Sequence, residues 1–524
     1  MPQKQKRIKR KRRAQIAASR NDDTRQALTR RRRSFVFLCM ALAVAVFLHL
    51  SAETFPDPDA FYHFRHAEIY RSAGAGGIFR TSFPWVHYSV ISKFSSDLWY
   101  GFHLLIIPFT LVGDPIMGMQ LAGIFVTCAF LILFYIVCVY LEIKPALFWP
   151  FFLLFSSAFI LHRLGMLRPQ VLSLGLSALL FAMMAMESVW GVFFAALASA
   201  FLHLNLFFIS FLVFGVFAMT KALAEKAFPW RECLALTSGV LGGWLLRPNP
   251  LGAAEILYVQ LFRFTVEKVG GGLLDLGAEL LPLKLKSNSN YLWFIVLWII
   301  SLLRVFCGLA KKELALSNRD RTIILSSAYL SIMFFLLSVF FARRAFDFCT
   351  VFGVILISLV FSRFLYQNLG ARLVLTCAFV FLVPYGLNLR SQVLSVGWNP
   401  VRFKSAAQWI AGNSEPGDIV FNARWEYFPE LFFWNTKNVY VSGMDPIFQY
   451  TYDQDLYREG SYLVSEPIRQ EGLKDAYKIL KEKFKARYVV LAKPFDGSLY
   501  FRLLRDSRFL LKQENDSSAV FEVN

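Results

Sequence analysis

Residues that can exchange protons or bind cations are concentrated in one stretch of the sequence, from Asp57 to Glu68. The stretch opens with two carboxylates separated by a single proline, at Asp57 and Asp59. Further polar side chains follow at His63, Arg65 and His66. Carboxylates held this close in low-dielectric surroundings are costly unless they bind a metal, take up a proton or face a cation. The simpler alternative is a solvated loop in which Asp59 only caps a helix.

The pattern of the same stretch predicts a helix that begins near Ala60, with Asp59 as its N-cap. Arg65 and Glu68 stand three residues apart, a spacing at which opposite charges pair on a helix surface. The two histidines fall in the first turns of this helix. Such a helix would fix the directions of the acidic and basic side chains relative to one another.

The elements that must position this stretch are apolar. The chain has 524 residues, of which 56% are hydrophobic and 17% aromatic. Apolar runs lie near 35–52, 98–113, 116–140, 146–161, 169–186, 189–220, 233–247, 292–309, 322–342, 345–362 and 371–388. Runs of this length and number are typical of a polytopic membrane protein. We therefore expect a multi-spanning membrane domain over 34–390, with an acidic first outer loop over 53–115.

A basic arm, residues 1–33, precedes the first apolar run and contributes much of the formal net charge of +20. By the positive-inside rule, the arm predicts a cytoplasmic N-terminus. Its place ahead of a span argues against nucleic-acid binding and favours membrane lipid as its partner. The run 189–220 is too long for one span, so we interpret it as two helices and 98–113 as interfacial. This interpretation gives about 11 spans, and an odd total also places the later basic loops inside.

With this topology, all seven histidines fall at or near the extracytoplasmic face. They are His49, His63, His66, His87, His103, His162 and His203. Several arginines fall at the same face, namely Arg163, Arg168, Arg247 and Arg344. Interfacial arginines are ordinary, because long side chains reach toward the interface. Histidine has no role in setting topology, so its confinement to one face predicts a polar cavity there.

The character of the sequence changes near Trp398, and residues 398–524 form a mixed polar segment with balanced charge. Short apolar strands are predicted at 418–421, 438–441 and 488–491, with a terminal hairpin from 509–512 and 520–523. Helices are predicted at 406–411 and 475–485. Helices that alternate with short strands indicate an α/β domain. An odd number of spans places this domain on the same side as the acidic loop.

The segment Asp57-Pro-Asp-Ala-Phe-Tyr-His-Phe-Arg resembles the acidic first loop of the GT-C class of multi-spanning glycosyltransferases. Within that class it looks most like the catalytic subunits of oligosaccharyltransferases. The resemblance implies an α-helical polytopic membrane fold with a small C-terminal α/β domain and a sugar donor linked to polyprenyl phosphate. It also implies an integral membrane location, the inner membrane if the source is bacterial. The Trp-Trp-Asp motif by which oligosaccharyltransferases read the acceptor has only a weak counterpart at Arg424-Trp425-Glu426, so the acceptor stays unknown.

The resemblance and the chemistry of the residues together predict a glycosyltransferase that moves a sugar or oligosaccharide from the lipid donor to an acceptor outside the cytoplasm. The expected catalytic residues are Asp57, Asp59 and His63. The expected ligands of the donor phosphate are Arg163, Arg168, Arg247 and Arg344. Guanidinium groups suit phosphate because their planar fork matches its oxygens and stays charged.

A divalent ion, Mg²⁺ or Mn²⁺, is a possible cofactor, and Asp57 and Asp59 would be its hard oxygen ligands. Either aspartate could be the base that takes the acceptor's proton, and the sequence does not assign the two roles. A transporter or flippase of a lipid-linked or anionic substrate is the alternative function. Transporters usually show inverted repeats and broken helices near the membrane midplane, features that we do not find in the sequence. Their charged residues should also spread through the bilayer, whereas the charges here gather at one face. A non-catalytic membrane scaffold is the third hypothesis.

Overall fold

The computed structural model describes residues 28, 31–50, 52–74, 76–272, 274–284, 291–311, 316–465 and 474–524. Most of the basic arm, predicted over 1–33, lies outside the described residues. The described part is predominantly helical, with one small sheet near the C-terminus. The expected fold class, a helical membrane domain followed by a small α/β domain, is confirmed.

Long apolar helices form the membrane part. Their bounds are Arg31–Leu50, Pro115–Tyr140, Ala158–Leu164, Pro169–Ala185, Leu204–Glu225, Leu292–Ala310, Asn318–Phe340, Ala345–Leu365 and Leu369–Ser395. By length and composition, seven helices in the described residues can cross a membrane, or eight if the bent pair Ala158–Leu164 and Pro169–Ala185 is one span. The expected total of about 11 also included shorter helices. These are Trp149–Leu154, Val189–Leu202 and Trp230–Leu245.

The shorter helices explain the difference between the two span counts. Val189–Leu202 has 14 residues, which at 1.5 Å per residue is about 21 Å. The hydrocarbon layer is about 30 Å thick, so a helix of this length does not cross it alone. The prediction that 189–220 contains two helices is confirmed, because the first helix ends at Leu202 and the backbone leaves helical geometry at His203.

The first outer loop contains the helices Asp59–Ser72, Val90–Phe94 and Tyr100–Ile106, with short 3₁₀ turns at Gly77–Phe79 and Ile107–Leu111. The helix Asp59–Ser72 begins one residue earlier than predicted. Pro58 is its N-cap and no side chain caps it, so the expected cap role of Asp59 is wrong. The Asp59 carboxylate faces Arg168 instead. The expected Arg65–Glu68 ion pair is present, at 2.5 Å.

A second segment, the middle outer segment, joins the membrane helices at the same end as the predicted outer loop. It contains Pro250–Leu257, a π-helical turn at Tyr258–Arg263, Phe264–Val269 and the 3₁₀ turn Ala278–Leu280. The last of these turns carries Glu279. The segment thereby brings a carboxylate to the same region as the acidic first loop.

The C-terminal domain holds a five-stranded sheet with the strand order β2-β1-β3-β5-β4. The strands are β1 Ile419–Asn422, β2 Val439–Tyr440, β3 Tyr488–Ala492, β4 Phe509–Glu514 and β5 Ser518–Val523. β1 is parallel to β2 and β3, whereas β5 pairs antiparallel with β3 and β4. The predicted strands and terminal hairpin are therefore confirmed.

Helices surround this sheet and connect its strands. Their bounds are Lys404–Asn413, Phe428–Trp434, Pro446–Tyr452, Gln454–Ser465 and Gly497–Leu504, with a 3₁₀ turn at Trp425–Tyr427 and a π-helical turn at Lys478–Lys483. The first outer loop is joined to this domain by backbone hydrogen bonds. The amides of Phe55 and Trp398 each donate to the other's carbonyl, at 3.0 and 2.6 Å, and the His87 amide donates to the Tyr440 carbonyl at 2.8 Å. The acidic loop and the C-terminal domain therefore lie on one side.

Several of the basic loops meet at the other end of the helices. Arg363 Nε pairs with Asp320 at 3.0 Å, and Arg363 Nη1 donates to the carbonyl of Glu142 at 3.2 Å. Lys221 pairs with Glu187 at 2.5 Å. The helix Pro115–Tyr140, with 26 residues and a length of about 39 Å, separates this end from the acidic loop. The expected grouping of basic loops opposite the acidic loop is thus present in the fold.

Candidate active site

A sharp bend in the chain places two arginines beside the acidic loop. The helices Ala158–Leu164 and Pro169–Ala185 meet at 109°. Pro169 occupies the first turn of the second helix, where its missing amide hydrogen costs nothing, and it prevents Arg168 from continuing the first helix. Arg163 lies on the first arm of the bend and Arg168 at the corner. Both guanidinium groups therefore face the loop that follows the first span.

Arg168 is the centre of an ion cluster. Its Nε and Nη2 donate to the two oxygens of Asp57, the second at 2.6 Å. Nη2 also pairs with Asp59 at 2.5 Å, and Nη1 pairs with Glu279 at 3.1 Å. All three nitrogens of this guanidinium group are thus occupied by carboxylates from two outer segments.

Arg163 extends the cluster toward the helix Ala345–Val360. Its Nη2 pairs with Glu279 at 2.6 Å and its Nε with Asp347 at 2.7 Å. Gln170 donates to Asp347 at 3.3 Å and accepts a hydrogen bond from Arg344 Nη2 at 3.4 Å. No carboxylate within ion-pair distance of Arg344 is found among the described residues. Arg344 is therefore the cluster's guanidinium with capacity for a further anion.

The charges of the cluster act on its acids in different ways. Burial raises the pKa of Asp57 to about 7, against the opposing effect of Arg168. Burial likewise raises the pKa of Asp59, and the nearby arginines oppose that rise. For Glu279, burial acts upward too, but Arg163, Arg168 and Arg344 outweigh it and hold its pKa well below the ordinary value. Glu279 is therefore a permanent anion, whereas the acid pair holds protons more readily.

A polar pocket of about 90 Å³ opens in front of this cluster. Its walls are Asp59, Tyr62, His63, Trp99, Arg168, Pro169, Gln170, His203, Asn205, Gln260, Gly277, Glu279, Leu280, Arg344, Trp425, Met444, Asp445 and Phe448. Three of its buried polar atoms have no hydrogen-bond partner in the described residues, namely Asn205 Oδ1, Gln260 Oε1 and Trp425 Nε1. Such atoms are expensive to leave unsatisfied, so their convergence on one pocket indicates a polar ligand.

A much larger apolar groove, of about 570 Å³, adjoins the polar pocket. It is lined mainly by apolar residues within 206–212, 261–266 and 334–348. The pocket and the groove share five lining residues, which are Asn205, Gln260, Leu280, Arg344 and Asp445. Arg344 therefore stands where the polar chamber meets the apolar one.

Behind His63 lies a hydrogen-bonded row of buried groups. His63 Nδ1 is 2.8 Å from His103 Nε2, and His103 Nδ1 is 2.6 Å from Asp97 Oδ2. His66 stacks on the His103 ring, with ring centroids 4.3 Å apart and an interplanar angle of 29°. Asp97, His66 and His103 are each at most 4% exposed. The predicted polar cavity with clustered histidines is thus present, and four of the seven histidines lie in it or beside it.

The structure brings most of the predicted site residues together. Asp59, His63, Arg168 and Arg344 line the pocket, and Asp57 and Arg163 lie directly behind it in the ion cluster. Arg247 does not join them. Its nitrogens donate to the backbone carbonyls of Asp97 and Ala200, both at 2.7 Å, so it fixes two segments of backbone.

The acid pair was also expected to hold a divalent ion, and its surroundings do not fit that role. Both oxygens of Asp57 accept from Arg168, and one oxygen of Asp59 is paired with the same group. Arg168 thus stands between the carboxylates where a cation would bind. His66, Asp97 and His103 also offer ligand atoms within 4.8 Å of one another. The two imidazole rings are stacked, however, and stacked rings do not direct their in-plane lone pairs to one point.

Two carboxylates that line the pocket were not predicted as site residues. Glu279 follows an irregular Gly-rich stretch, and Asp445 lies in a turn before the helix Pro446–Tyr452. Asp445 is partly buried, and the loss of water around its carboxylate raises its pKa to about 6. Neither residue belongs to a motif, and both reach the site only through tertiary folding. The Asp445-Pro446 dipeptide in a polar turn was the one available signal.

The fold itself can be compared with solved structures. The crystal structure of ArnT from Cupriavidus metallidurans in the apo state aligns over 93% of this chain and 97% of ArnT, with a TM-score of 0.55 and 13% identity. The structure of ArnT bound to undecaprenyl phosphate aligns over the same shares, with a TM-score of 0.53. The chain has the GT-C fold. In the GT-C fold of this chain, the acidic loop, the bend at Arg168 and the C-terminal domain enclose the pocket. No family model and no curated protein matches the sequence.

Proposed function

We propose that this protein is a membrane glycosyltransferase that moves a sugar or oligosaccharide from a polyprenyl-phosphate-type lipid donor to an acceptor at the extracytoplasmic face. The observation that carries the proposal is the junction of the polar pocket with the apolar groove. An amphiphilic donor fits this pair of chambers, with its polar head in the pocket and its lipid tail in the groove. Apolar surface that leaves water on binding contributes about 25 cal/mol per Å².

Arg344 is the best candidate for the donor phosphate. It lies at the junction, where the phosphate of a lipid-linked sugar must sit, and it faces the pocket with unused hydrogen-bond capacity. Arg168, which the sequence suggested as the first phosphate ligand, has its nitrogens committed to Asp57, Asp59 and Glu279. Arg168 instead orients the acid pair and adds positive charge near the leaving phosphate.

The two aspartates of the acid pair differ in their exposure and in their contacts. The Asp57 side chain is 6% exposed and accepts from Arg168 at both oxygens, whereas the Asp59 side chain is 31% exposed and lines the pocket. Transfer joins an acceptor oxygen or nitrogen to the anomeric carbon, breaks the bond from that carbon to the phosphate oxygen, and releases one proton. Two groups in the pocket wall can take that proton, the Asp59 carboxylate and His63. Asp57 positions Arg168.

The unpartnered polar atoms support a sugar in the pocket. Asn205 Oδ1 and Gln260 Oε1 can accept hydrogen bonds from hydroxyl groups, and Trp425 Nε1 can donate one. Trp425 belongs to the segment Arg424-Trp425-Glu426, which the sequence suggested as a weak counterpart of an acceptor-reading motif. The same three atoms also explain why the pocket would select a polyhydroxylated ligand over a simple anion.

The structural neighbours support the lipid part of the proposal. ArnT, which shares the fold over nearly the whole chain, has been crystallised with undecaprenyl phosphate. The outward orientation is proposed from the basic arm and from the basic loops opposite the acidic loop. We assign no step to a metal ion, because Arg168 occupies the space between the two carboxylates.

The test is donor consumption by the purified protein. Protein in nanodiscs is incubated with a panel of polyprenyl-phosphate sugars, with water or a mixed acceptor extract, and free polyprenyl phosphate is quantified by mass spectrometry. We expect release from at least one donor, lost in Asp59→Asn and kept in Arg65→Gln, which removes an ion pair outside the pocket. Release by no donor, or transfer of an intact lipid between leaflets, would contradict the proposal and favour a transporter.

A further inference from the structure

The hydrogen-bonded row behind His63 runs from a buried carboxylate to the polar pocket. Asp97 Oδ2 lies 2.6 Å from His103 Nδ1, and His103 Nε2 lies 2.8 Å from His63 Nδ1. The side chains of Asp97 and His103 are at most 1% exposed, and His63 is the one member that lines the polar pocket. The row therefore connects a fully buried carboxylate to the pocket through two imidazole rings.

The carboxylate fixes which ring nitrogens carry hydrogen. Burial alone would raise the pKa of Asp97, but its contacts with His103 and His66 outweigh burial and hold the pKa well below the ordinary value. An ionised Asp97 can only accept, so His103 Nδ1 carries the hydrogen of that bond. In neutral His103, Nε2 is then an acceptor, and His63 Nδ1 must donate to it. His63 Nε2 is left with a free lone pair.

Other groups hold the ends of the row. The Tyr70 hydroxyl donates to Asp97 Oδ2 at 2.9 Å, and the Trp99 amide donates to Asp97 Oδ1 at 2.9 Å. Arg247 Nη1 binds the Asp97 carbonyl at 2.7 Å, which gives this predicted phosphate ligand a role in positioning the row. The charged or titratable groups that act on His63 are His103, Arg168, Asp97 and His203. Burial lowers the pKa of His63, and so do His103, Arg168 and His203. Asp97 opposes them, but the pKa stays well below its ordinary value, so the ring is neutral at rest.

We propose that Asp97, His103 and His63 form a proton-accepting chain, in which His63 takes the proton that the acceptor releases during glycosyl transfer. The inference rests on the proposed function. The acceptor's proton goes to His63 Nε2, and the hydrogen on His63 Nδ1 passes to His103 Nε2. The positive charge then rests on His103, beside Asp97. The chain thus changes its net charge from −1 to zero, which low-dielectric surroundings favour.

Asp97 and His103 are positioning residues in this scheme, and only His63 touches the substrate. The Asp97→Asn change keeps the shape of the carboxylate but presents an amide donor to His103 Nδ1. That change reverses both tautomers and leaves a hydrogen on His63 Nε2, where a lone pair is needed. The corresponding change in serine proteases, whose buried aspartate orients the catalytic histidine, blocks the base in the same way.

The first measurement is independent of activity. Protein labelled with ¹⁵N at its seven histidines is examined in nanodiscs by NMR, with His63→Gln and His103→Gln samples for assignment. We expect hydrogen on Nδ1 and none on Nε2 of His63 in the wild type, and the reverse in Asp97→Asn. Hydrogen on Nε2 of His63 in the wild type at neutral pH would overturn the proposal, whether or not a donor is known.

The second measurement is kinetic and uses the donor that the wild type consumes. Asp97→Asn is expected to lower kcat by about 10²–10⁴-fold, with the donor KM within about threefold of the wild type. Asp320→Asn is the matched control, because it makes the same change to an ion-paired aspartate at the opposite end of the helices, and its kcat should stay within about threefold. An Asp97→Asn kcat within threefold of the wild type would overturn the chain. A wild type that consumes no donor would instead count against the proposed function, and the NMR result would still decide the tautomers.

Discussion

Arg168 donates to both oxygens of Asp57, so the two side chains form a two-point ion pair although 111 residues separate them in the chain. The same guanidinium group reaches Asp59 and Glu279, and thereby links the first outer loop to the middle outer segment. Four carboxylates and three arginines share this region. The acidic pair that stands out in the sequence is therefore one half of an ion cluster whose other half comes from the membrane helices.

Asp57→Asn should lower turnover by about 10²-fold or more, because it releases the arginine that orients Asp59 and faces the leaving phosphate. The protein should also lose stability, since removing one member of a buried pair leaves the other without full compensation. Donor consumption and thermal unfolding in nanodiscs measure the two effects. Asp57→Asn with wild-type turnover would remove this pair from the active site.

Arg344→Lys should raise the donor KM by about tenfold or more with a smaller change in kcat, because lysine keeps the charge but loses the two-point fit to phosphate. Arg168→Lys should mainly lower kcat. Arg343→Lys is the matched control, because Arg343 stacks on the ring of Phe159 and does not line the pocket. Equal effects of the Arg343 and Arg344 changes on KM would reject Arg344 as the phosphate ligand.

Chelation should leave the reaction unchanged. Because Arg168 occupies the space between Asp57 and Asp59, dialysis against excess EDTA is expected to keep turnover within about twofold of the untreated enzyme. The measurement is donor consumption before and after dialysis, with Mg²⁺ and Mn²⁺ added back separately. Loss of activity that either ion restores would show that a metal replaces Arg168 between the carboxylates during the reaction.

Sidedness can be measured with cysteine probes. Ser82 in the first outer loop and Ser507 in the C-terminal domain are exposed, and Ala227 is exposed at the opposite end. Ser82→Cys and Ser507→Cys should react with a membrane-impermeant thiol reagent in intact cells, beyond the background of the wild type. Ala227→Cys should react only after permeabilisation. The opposite pattern would place the pocket at the cytoplasmic face, where the proposed reaction does not occur.

The helices and the terminal hairpin could be predicted from the sequence, because interactions between residues close in the chain determine them. The apolar runs predicted the helices, and the terminal alternation in residues 509–523 predicted the hairpin of β4 and β5. The division of 189–220 into two helices followed from its length, whereas the position of the break at His203 came from the structure. The number of membrane spans could not be predicted from the sequence, because an apolar run of 14–16 residues does not reveal whether its helix crosses the bilayer or stops within it.

The site was predictable only in part, because its ion pairs join residues far apart in sequence. Asp57 and Asp59 were visible as a motif, and the confinement of histidines to one face indicated a polar cavity. Glu279 carries no such signal, yet it binds two of the arginines. The partners of Arg168 and Arg247 also depend on tertiary packing. Both were predicted to bind phosphate, whereas Arg168 pairs with carboxylates and Arg247 with backbone carbonyls.

Photolabelling with a lipid donor tests the central claim most directly. A polyprenyl-phosphate sugar with a diazirine on its first isoprene units is irradiated with the protein, and the labelled peptides are mapped. We predict attachment to Leu206–Leu212, Leu261–Val266 or Phe334–Phe341, competed by unlabelled polyprenyl phosphate and weakened in Arg344→Ala. Labelling spread over the outer surfaces of Leu369–Ser395 and Leu292–Ala310, unchanged by competitor or by Arg344→Ala, would contradict a lipid donor in this groove.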